Sequence, residues 1–210
     1  MTKIKICGMF RTADMNTANE LKPDYIGFVF AKSKRQVNRQ QAAKLKRLLN
    51  PVVRTVGVFV NASLQEIAAL VQEGIVDIIQ LHGDESPSFC QQLRQRIKNP
   101  IIKAIRVKDR SSLRNLEVYM CDYFLLDTFS QISFGGGGQE FDYSLVQNVQ
   151  LPKPFFLAGG LRPDNIQEAI GKVQPFGVDV SSGVETQGKK DPVKITEFIE
   201  KVRKGAKKND

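Results

Sequence analysis

The sequence predicts a closed (β/α)8 barrel. Three observations carry this expectation: eight short apolar runs rich in β-branched and aromatic residues, helical patterns between them, and connections of a few residues. Strand–helix alternation with short loops builds a parallel sheet. Eight such units in about 200 residues match a sheet that closes on itself. A doubly wound open sheet is the structural alternative.

The apolar runs are Ile4–Cys7, Tyr25–Phe30, Thr55–Val60, Ile78–Leu81, Ile101–Ile105, Tyr123–Leu126, Phe155–Ala158 and Gly177–Val180. Several are dominated by β-branched and aromatic side chains, as strands covered on both faces require. After the third run, Leu64, Ile67, Ala68 and Val71 recur at helical spacing, with Ser63 as N-cap and Glu66 in capping-box position. Segments 88–97, 163–171 and 191–202 read similarly, and Pro163 and Pro192 stand where a first helical turn begins. The helical patterns after the fifth and sixth runs are weaker.

No Pro/Ser-rich linker or break in composition divides the 210 residues, so one domain over residues 1–210 is expected, with 205–210 a frayed tail. Hydrophobic residues make up 41% and charged residues 25%, as in an ordinary globular protein. No stretch approaches the roughly 20 apolar residues of a membrane span. The first residues lack the apolar run of a secretory signal, and a cytoplasmic protein is expected. Cys7, Cys90 and Cys121 are odd in number and far apart, which speaks against a disulfide framework and against paired-thiol zinc binding. A single histidine speaks against a histidine metal site. Lys and Arg outnumber Asp and Glu by 31 to 22, a net charge of +9 that favours anionic partners in general. The densest basic run, from Lys201 to Lys208, reads as a solvated helix end and tail. Elsewhere the basic residues are scattered and the aromatics lie within strands, unlike the concentrated stripe or stacking platform of a nucleic-acid-binding protein. No extra hydrophobic stripe calls for a partner, so a monomer is expected.

In such barrels chemistry sits at the C-terminal ends of the strands. The last two runs lead into Ala158-Gly159-Gly160-Leu161 and Ser181-Ser182-Gly183-Val184. The glycines allow close backbone approach, a following helix start offers N–H groups and a positive dipole end, and the serines add donors; the pair points to a phosphate site, against the alternative of tight turns. Asp127 ends an apolar strand, where a carboxylate is rare without a task or a partner; a cap or salt bridge is the other reading. Cys7 by itself reads as a small buried hydrophobe, yet strands one and six would lie on different sides of the barrel mouth. His82 ends the fourth run and is either catalytic or a hydrogen-bonded wall residue. The connection from Thr128 to Phe141, with four glycines at 135–138, is longer than packing requires and suggests a lid or ligand loop, or else a disordered surface loop. Cys90 and Cys121 are assigned to packing.

The ordered set of segments resembles the phosphoribosylanthranilate isomerase family. It comprises Lys3–Gly8, Gly27–Phe30 with Ser33 and Arg35, Val56–Asn61, Gln80–Gly83, Lys103–Val107, Leu126-Asp127, Phe141-Asp142, Leu157–Leu161 with Pro163 and Asn165, and Gly177–Glu185. Single motifs are modest; their order from residue 3 to about residue 204 is specific. Gly137 replaces a threonine common in the family, and Tyr143 a frequent tryptophan. The resemblance implies a TIM barrel with Cys7 as general base and Asp127 as general acid. It further implies Arg35 on the anthranilate carboxylate, the backbone around Gly159, Gly160, Ser182 and Gly183 on the phosphate, and His82 and Arg106 lining the pocket.

The implied reaction is an Amadori rearrangement of a phosphorylated aminoaldose in tryptophan biosynthesis. An acid protonates the furanose ring oxygen as the ring opens to a Schiff base, and a base takes the C2 proton. Such chemistry calls for no cofactor and no metal. An ordinary aspartate titrates near about 3.9 and an ordinary thiol near about 8.5, so each must be poised against its resting state. Lys5 shares the face of Cys7 by strand periodicity and could stabilise a thiolate. The nearest rival is the aminoaldose isomerase of histidine biosynthesis, which carries an aspartate where Cys7 stands here. A Schiff-base aldolase using Lys103 is a further rival.

Overall fold

A computed structural model describes residues 1–128, 143–147 and 149–205 of the chain. Eight parallel strands close into a barrel in sequence order. They are β1 (Lys3–Cys7), β2 (Tyr25–Val29), β3 (Arg54–Phe59), β4 (Ile78–Leu81), β5 (Ile101–Val107), β6 (Tyr123–Thr128), β7 (Phe155–Leu157) and β8 (Gly177–Val180). Closure is direct: Lys3, Ile4, Lys5 and Ile6 of β1 pair with Gly177, Val178, Asp179 and Val180 of β8. The open-sheet alternative is thereby set aside. Each strand falls within two residues of its expected bounds.

The helices form the outer layer: α1 (Thr12–Leu21), α2 (Arg39–Leu48), α3 (Leu64–Gln72), α4 (Pro87–Arg96), α5 (Ile166–Val173) and α6 (Pro192–Gly205). Local chemistry sets their starts. Ser63 Oγ accepts the Glu66 N–H at 3.2 Å, and Asn38 Oδ1 accepts that of Gln41 at 2.8 Å. Ser86 caps α4 with Pro87 in the first turn, so this helix begins one residue before the expected Ser88. α3 buries Leu64, Ile67, Ala68 and Leu70; Val71, expected on that face, is only partly buried.

Two expectations are corrected. The helix expected from Pro163 begins at Ile166, because Asn165 is used as a brace: its Oδ1 accepts the Arg162 N–H and its amide donates to the Gly160 carbonyl. After β5 the weak helical pattern resolves into 3₁₀ turns at Arg110–Leu113 and Leu116–Val118, and Tyr143–Leu145 forms a third after β6. The Gly135–Gly138 segment and Phe141-Asp142 lie outside the described residues, as does the tail beyond Gly205, which itself belongs to α6.

Side chains of one parity point into the barrel and those of the other pack under the helices. Tyr25, Val56, Ile78, Ile102, Ala104, Leu125, Phe156 and Ala158 form the interior core. Ile4, Ile6, Phe28, Phe59, Phe124, Leu126 and Phe198 belong to the larger core between sheet and helices. Full burial of one such phenylalanine contributes about 2–3 kcal/mol. This parity decides which residues can meet a ligand. Cys7, Gln80, Arg106, Asp127, Asp179 and Ser181 continue the inward rows towards the C-terminal mouth. Lys103 points the other way, between the rows of Leu81 and Phe124 in the outer core.

Candidate active site

Cys7 ends β1 with only 9% of its surface exposed, and the chain around it is cut to fit the thiol. A Cβ on the neighbouring Gly27 would stand 2.8 Å from Cys7 Sγ, so only glycine there leaves room for the sulfur. Lys5, one inward position earlier, is completely buried; its Nζ donates to Asp179 Oδ2 at 2.8 Å, and its charge favours the Cys7 thiolate. Burial disfavours the Lys5 ammonium, but Asp179 and Cys7 outweigh it and hold Lys5 above its ordinary value. Burial likewise pushes the Cys7 thiol up, while Lys5 and Lys190 draw it down without overcoming the desolvation.

Lys190 is a residue that the sequence reading missed. It arrives on a hairpin, β9 (Glu185–Thr186) with β10 (Lys189–Lys190), whose turn residues Gln187 and Gly188 both have positive φ, 50° and 73°. A Gln-Gly pair between short strands was a visible signal for such a turn. The Lys190 ammonium donates to the Ser181 carbonyl at 2.9 Å and to Glu185 Oε1 at 2.6 Å. Ser181 in turn donates from Oγ to the Cys7 carbonyl at 3.1 Å, tying the ends of β8 and β1 together.

Arg35 reaches the same side of the mouth. Its Nε and Nη2 grip Glu185 in a two-pronged pair at 2.6 and 2.8 Å. The Arg35 side chain is 13% exposed, and the five donors of its guanidinium leave a second edge for a carboxylate. Burial resists ionisation of Glu185, yet hydrogen bonds from Arg35 and Lys190 hold its carboxyl at about 2. In the sequence Glu185 stands only as part of a motif; its partners lie 150 and 5 residues away.

Across the mouth, Asp127 ends the inward row of β6 and is buried. His82, just beyond β4, places Nε2 3.3 Å from Asp127 Oδ2. Its Nδ1 lies 2.8 Å from the amide nitrogen of Gln80, a buried polar residue inside the barrel that the sequence reading gave no role. Arg106, inward at the end of β5, pairs with Asp84. The ends of β1 and β6 thus bring two proton-exchanging groups to one opening, flanked by cations on the cysteine side.

The β7 and β8 ends meet where the phosphate site was expected. Gly159 and Gly160 have φ of 87° and 63°, a conformation that side chains strain to adopt. Gly183 packs so tightly that a Cβ there would lie 1.9 Å from the Leu161 carbonyl oxygen. Ser182 opens a single 3₁₀ turn, Ser182–Val184, beside them. Both glycine segments therefore answer to backbone geometry, and together they present main-chain groups at one corner of the mouth.

Other sequence readings also find their places. Lys103 Nζ is engaged by Glu85 Oε2 at 2.7 Å and by the Gly83 carbonyl at 2.8 Å, bracing the β4 loop away from the barrel interior. Cys90 and Cys121 are buried in the outer core, and burial raises their thiols to about 11 and about 12. No helix among the described residues is long and apolar enough to cross a membrane.

Known proteins resemble this chain over nearly its whole length. The family model for N-(5'-phosphoribosyl)anthranilate (PRA) isomerase matches residues 4–201. An N-(5'-phosphoribosyl)anthranilate isomerase of Thermoanaerobacter pseudethanolicus is 45% identical over 203 residues, covering 97% of this chain and 98% of its own. One from Streptococcus gordonii is 43% identical over 205 residues, covering 98% and 100%. Among solved structures, the phosphoribosyl anthranilate isomerase of Thermotoga maritima superposes with a TM-score of 0.87 at 35% identity, over 97% of this chain and 100% of that one. A second such structure, in complex with reduced 1-(o-carboxyphenylamino)-1-deoxyribulose 5-phosphate, matches with a TM-score of 0.81 at 35% identity over the same shares.

Proposed function

The chain belongs to the N-(5'-phosphoribosyl)anthranilate isomerase family, tryptophan-biosynthesis enzymes that turn N-(5-phosphoribosyl)anthranilate into 1-(2-carboxyphenylamino)-1-deoxyribulose 5-phosphate, and we propose that it does so with Cys7 as base and Asp127 as acid. The observation that carries this assignment is inward parity: both side chains end their strands facing one opening, from β1 and from β6. Asp127 gives its proton to the furanose ring oxygen as the bond from that oxygen to C1 breaks, leaving a Schiff base between C1 and the anthranilate nitrogen. The Cys7 thiolate takes the C2 proton, and the resulting enolamine tautomerises to the ketone. Positioned acid–base catalysis of this kind supplies about 10²–10⁴-fold; orientation of the bound substrate supplies more.

The neighbours of each group support its role. Lys5, held by Asp179, sits at the thiol and favours its anion. The second edge of Arg35 is suited to the anthranilate carboxylate, with Glu185 fixing the plane of the guanidinium. The main chain at Gly159, Gly160, Ser182 and Gly183 is suited to the phosphate. His82 and Arg106 complete the wall beside Asp127. An aspartate base, as in the histidine-pathway aminoaldose isomerase, has no counterpart at position 7.

The direct test follows the fluorescence of freshly prepared phosphoribosylanthranilate. Rapid loss with the wild type, and loss at the background rate with Cys7→Ala and with Asp127→Ala, is the expected result, each variant keeping its circular dichroism spectrum. Near-wild-type turnover by either variant removes that residue from the mechanism. We place the enzyme in the cytoplasm, in keeping with three buried, unbridged thiols. We take the working unit to be a monomer; a Thermotoga maritima relative is described as dimeric, and sedimentation equilibrium separates the two states.

A further inference from the structure

We infer that Gln80 and His82 are positioning residues for Asp127: the Gln80 amide fixes the His82 tautomer so that the ring proton sits on Nε2, beside the charge Asp127 acquires on giving up its proton. The inference rests on the assignment of Asp127 as acid. Three observations support it. The Gln80 amide nitrogen lies 2.8 Å from His82 Nδ1, and an amide nitrogen can only donate, so Nδ1 is the acceptor and the ring proton of a neutral imidazole resides on Nε2. His82 Nε2 stands 3.3 Å from Asp127 Oδ2, yet among the described residues it makes no hydrogen bond. All three side chains are buried, with 1% of Gln80, 8% of His82 and 6% of Asp127 exposed.

A buried ring N–H next to an oxygen but without a formed hydrogen bond is an unspent donor. Its spending depends on charge. Facing a protonated carboxyl it gains little. Once Asp127 has protonated the ring oxygen of the sugar, the same oxygen carries negative charge and the contact tightens in a water-poor setting. An interaction stronger after proton transfer than before it lowers the barrier rather than tightening ground-state binding. The opposite tautomer would present a lone pair to the new carboxylate and oppose the step. Gln80, fixed inside the barrel one inward position before His82, determines which of these holds.

The chain contains one histidine, so its ring nitrogens can be read without ambiguity. Long-range ¹⁵N–¹H spectra of the labelled, unligated protein at neutral pH are expected to show a pyridine-type Nδ1 and a protonated Nε2. Gln80→Met, which removes the donor at similar volume, is expected to give a mixture of tautomers. In kinetics, His82→Leu is expected to lower kcat by about 10²-fold with little change in KM, the scale of one lost donor to developing charge. His82→Gln, whose amide can place an N–H near the former Nε2, is expected to recover at least about tenfold of that loss. A protonated Nδ1 with a bare Nε2 in the wild type overturns the inference. So does wild-type kcat in a folded His82→Leu while Asp127→Ala is inactive. Turnover that survives in Asp127→Ala overturns instead the acid assignment beneath it.

Discussion

Replacing Glu185 by Gln should remove a pH-dependent part of the stability and disturb the base side of the active site. Glu185 is nearly enclosed, with 5% of its side chain exposed, and accepts from Arg35 Nε and Nη2 and from Lys190. Its carboxyl is held at about 2 against an ordinary 4.5. At about 1.4 kcal/mol per unit, this corresponds to at most about 3 kcal/mol of stability. The sign is set by the direction of the shift. A carboxylate held below its ordinary value stabilises fully above that ordinary value, and the contribution fades as pH falls towards the folded value. Urea unfolding of wild type and Glu185→Gln should therefore differ most at pH about 6, and about 2 kcal/mol of that difference should be gone by pH about 3. Other acid-titrating groups are common to both proteins and cancel. The variant also leaves Arg35 and Lys190 without their shared anion, and kcat/KM should fall even where the protein is fully folded. A stability difference that stays constant from pH 6 to 3 would refute the reasoning, because the ion pairs would then contribute nothing through the charge on Glu185.

Two further outcomes follow from the same geometry. Since the proposed base must be a thiolate and burial holds the Cys7 thiol above its ordinary value, kcat/KM should rise through the alkaline range. Lys5→Met combined with Asp179→Asn, which avoids stranding a buried carboxylate, should move that rise to higher pH, as should ultraviolet thiolate absorbance; an unmoved profile would remove Lys5 as the stabilising cation. Gly183→Ala forces a methyl against the Leu161 carbonyl and must push the β7 and β8 loops apart. We expect a cost of about 1–3 kcal/mol in chemical unfolding and a KM for phosphoribosylanthranilate raised more than kcat is lowered; an unchanged KM would separate this corner of the mouth from phosphate binding.

The sequence alone determined the repeat of strands, the places of Cys7 and Asp127 at strand ends on different sides of the mouth, and the glycine segments after the last two strands. These are local matters: apolar runs, period-two alternation and backbone conformations that only glycine adopts without strain are written within a few neighbouring residues. The early start of α4 was decided by the Ser86 cap together with Pro87, and the late start of α5 by the side-chain bracket of Asn165, which outweighs the position of Pro163. What surrounds the proposed base and acid was decided only by closure of the barrel. Lys5 meets Asp179 across 174 residues, Arg35 meets Glu185 across 150, and His82 meets Asp127 from strands β4 and β6 that do not pair with each other. Such partners share no local pattern, because the strand register that brings them together is set by packing of the whole sheet. The electrostatics of the site, which rest on those pairs and on their burial, therefore belong to the tertiary structure.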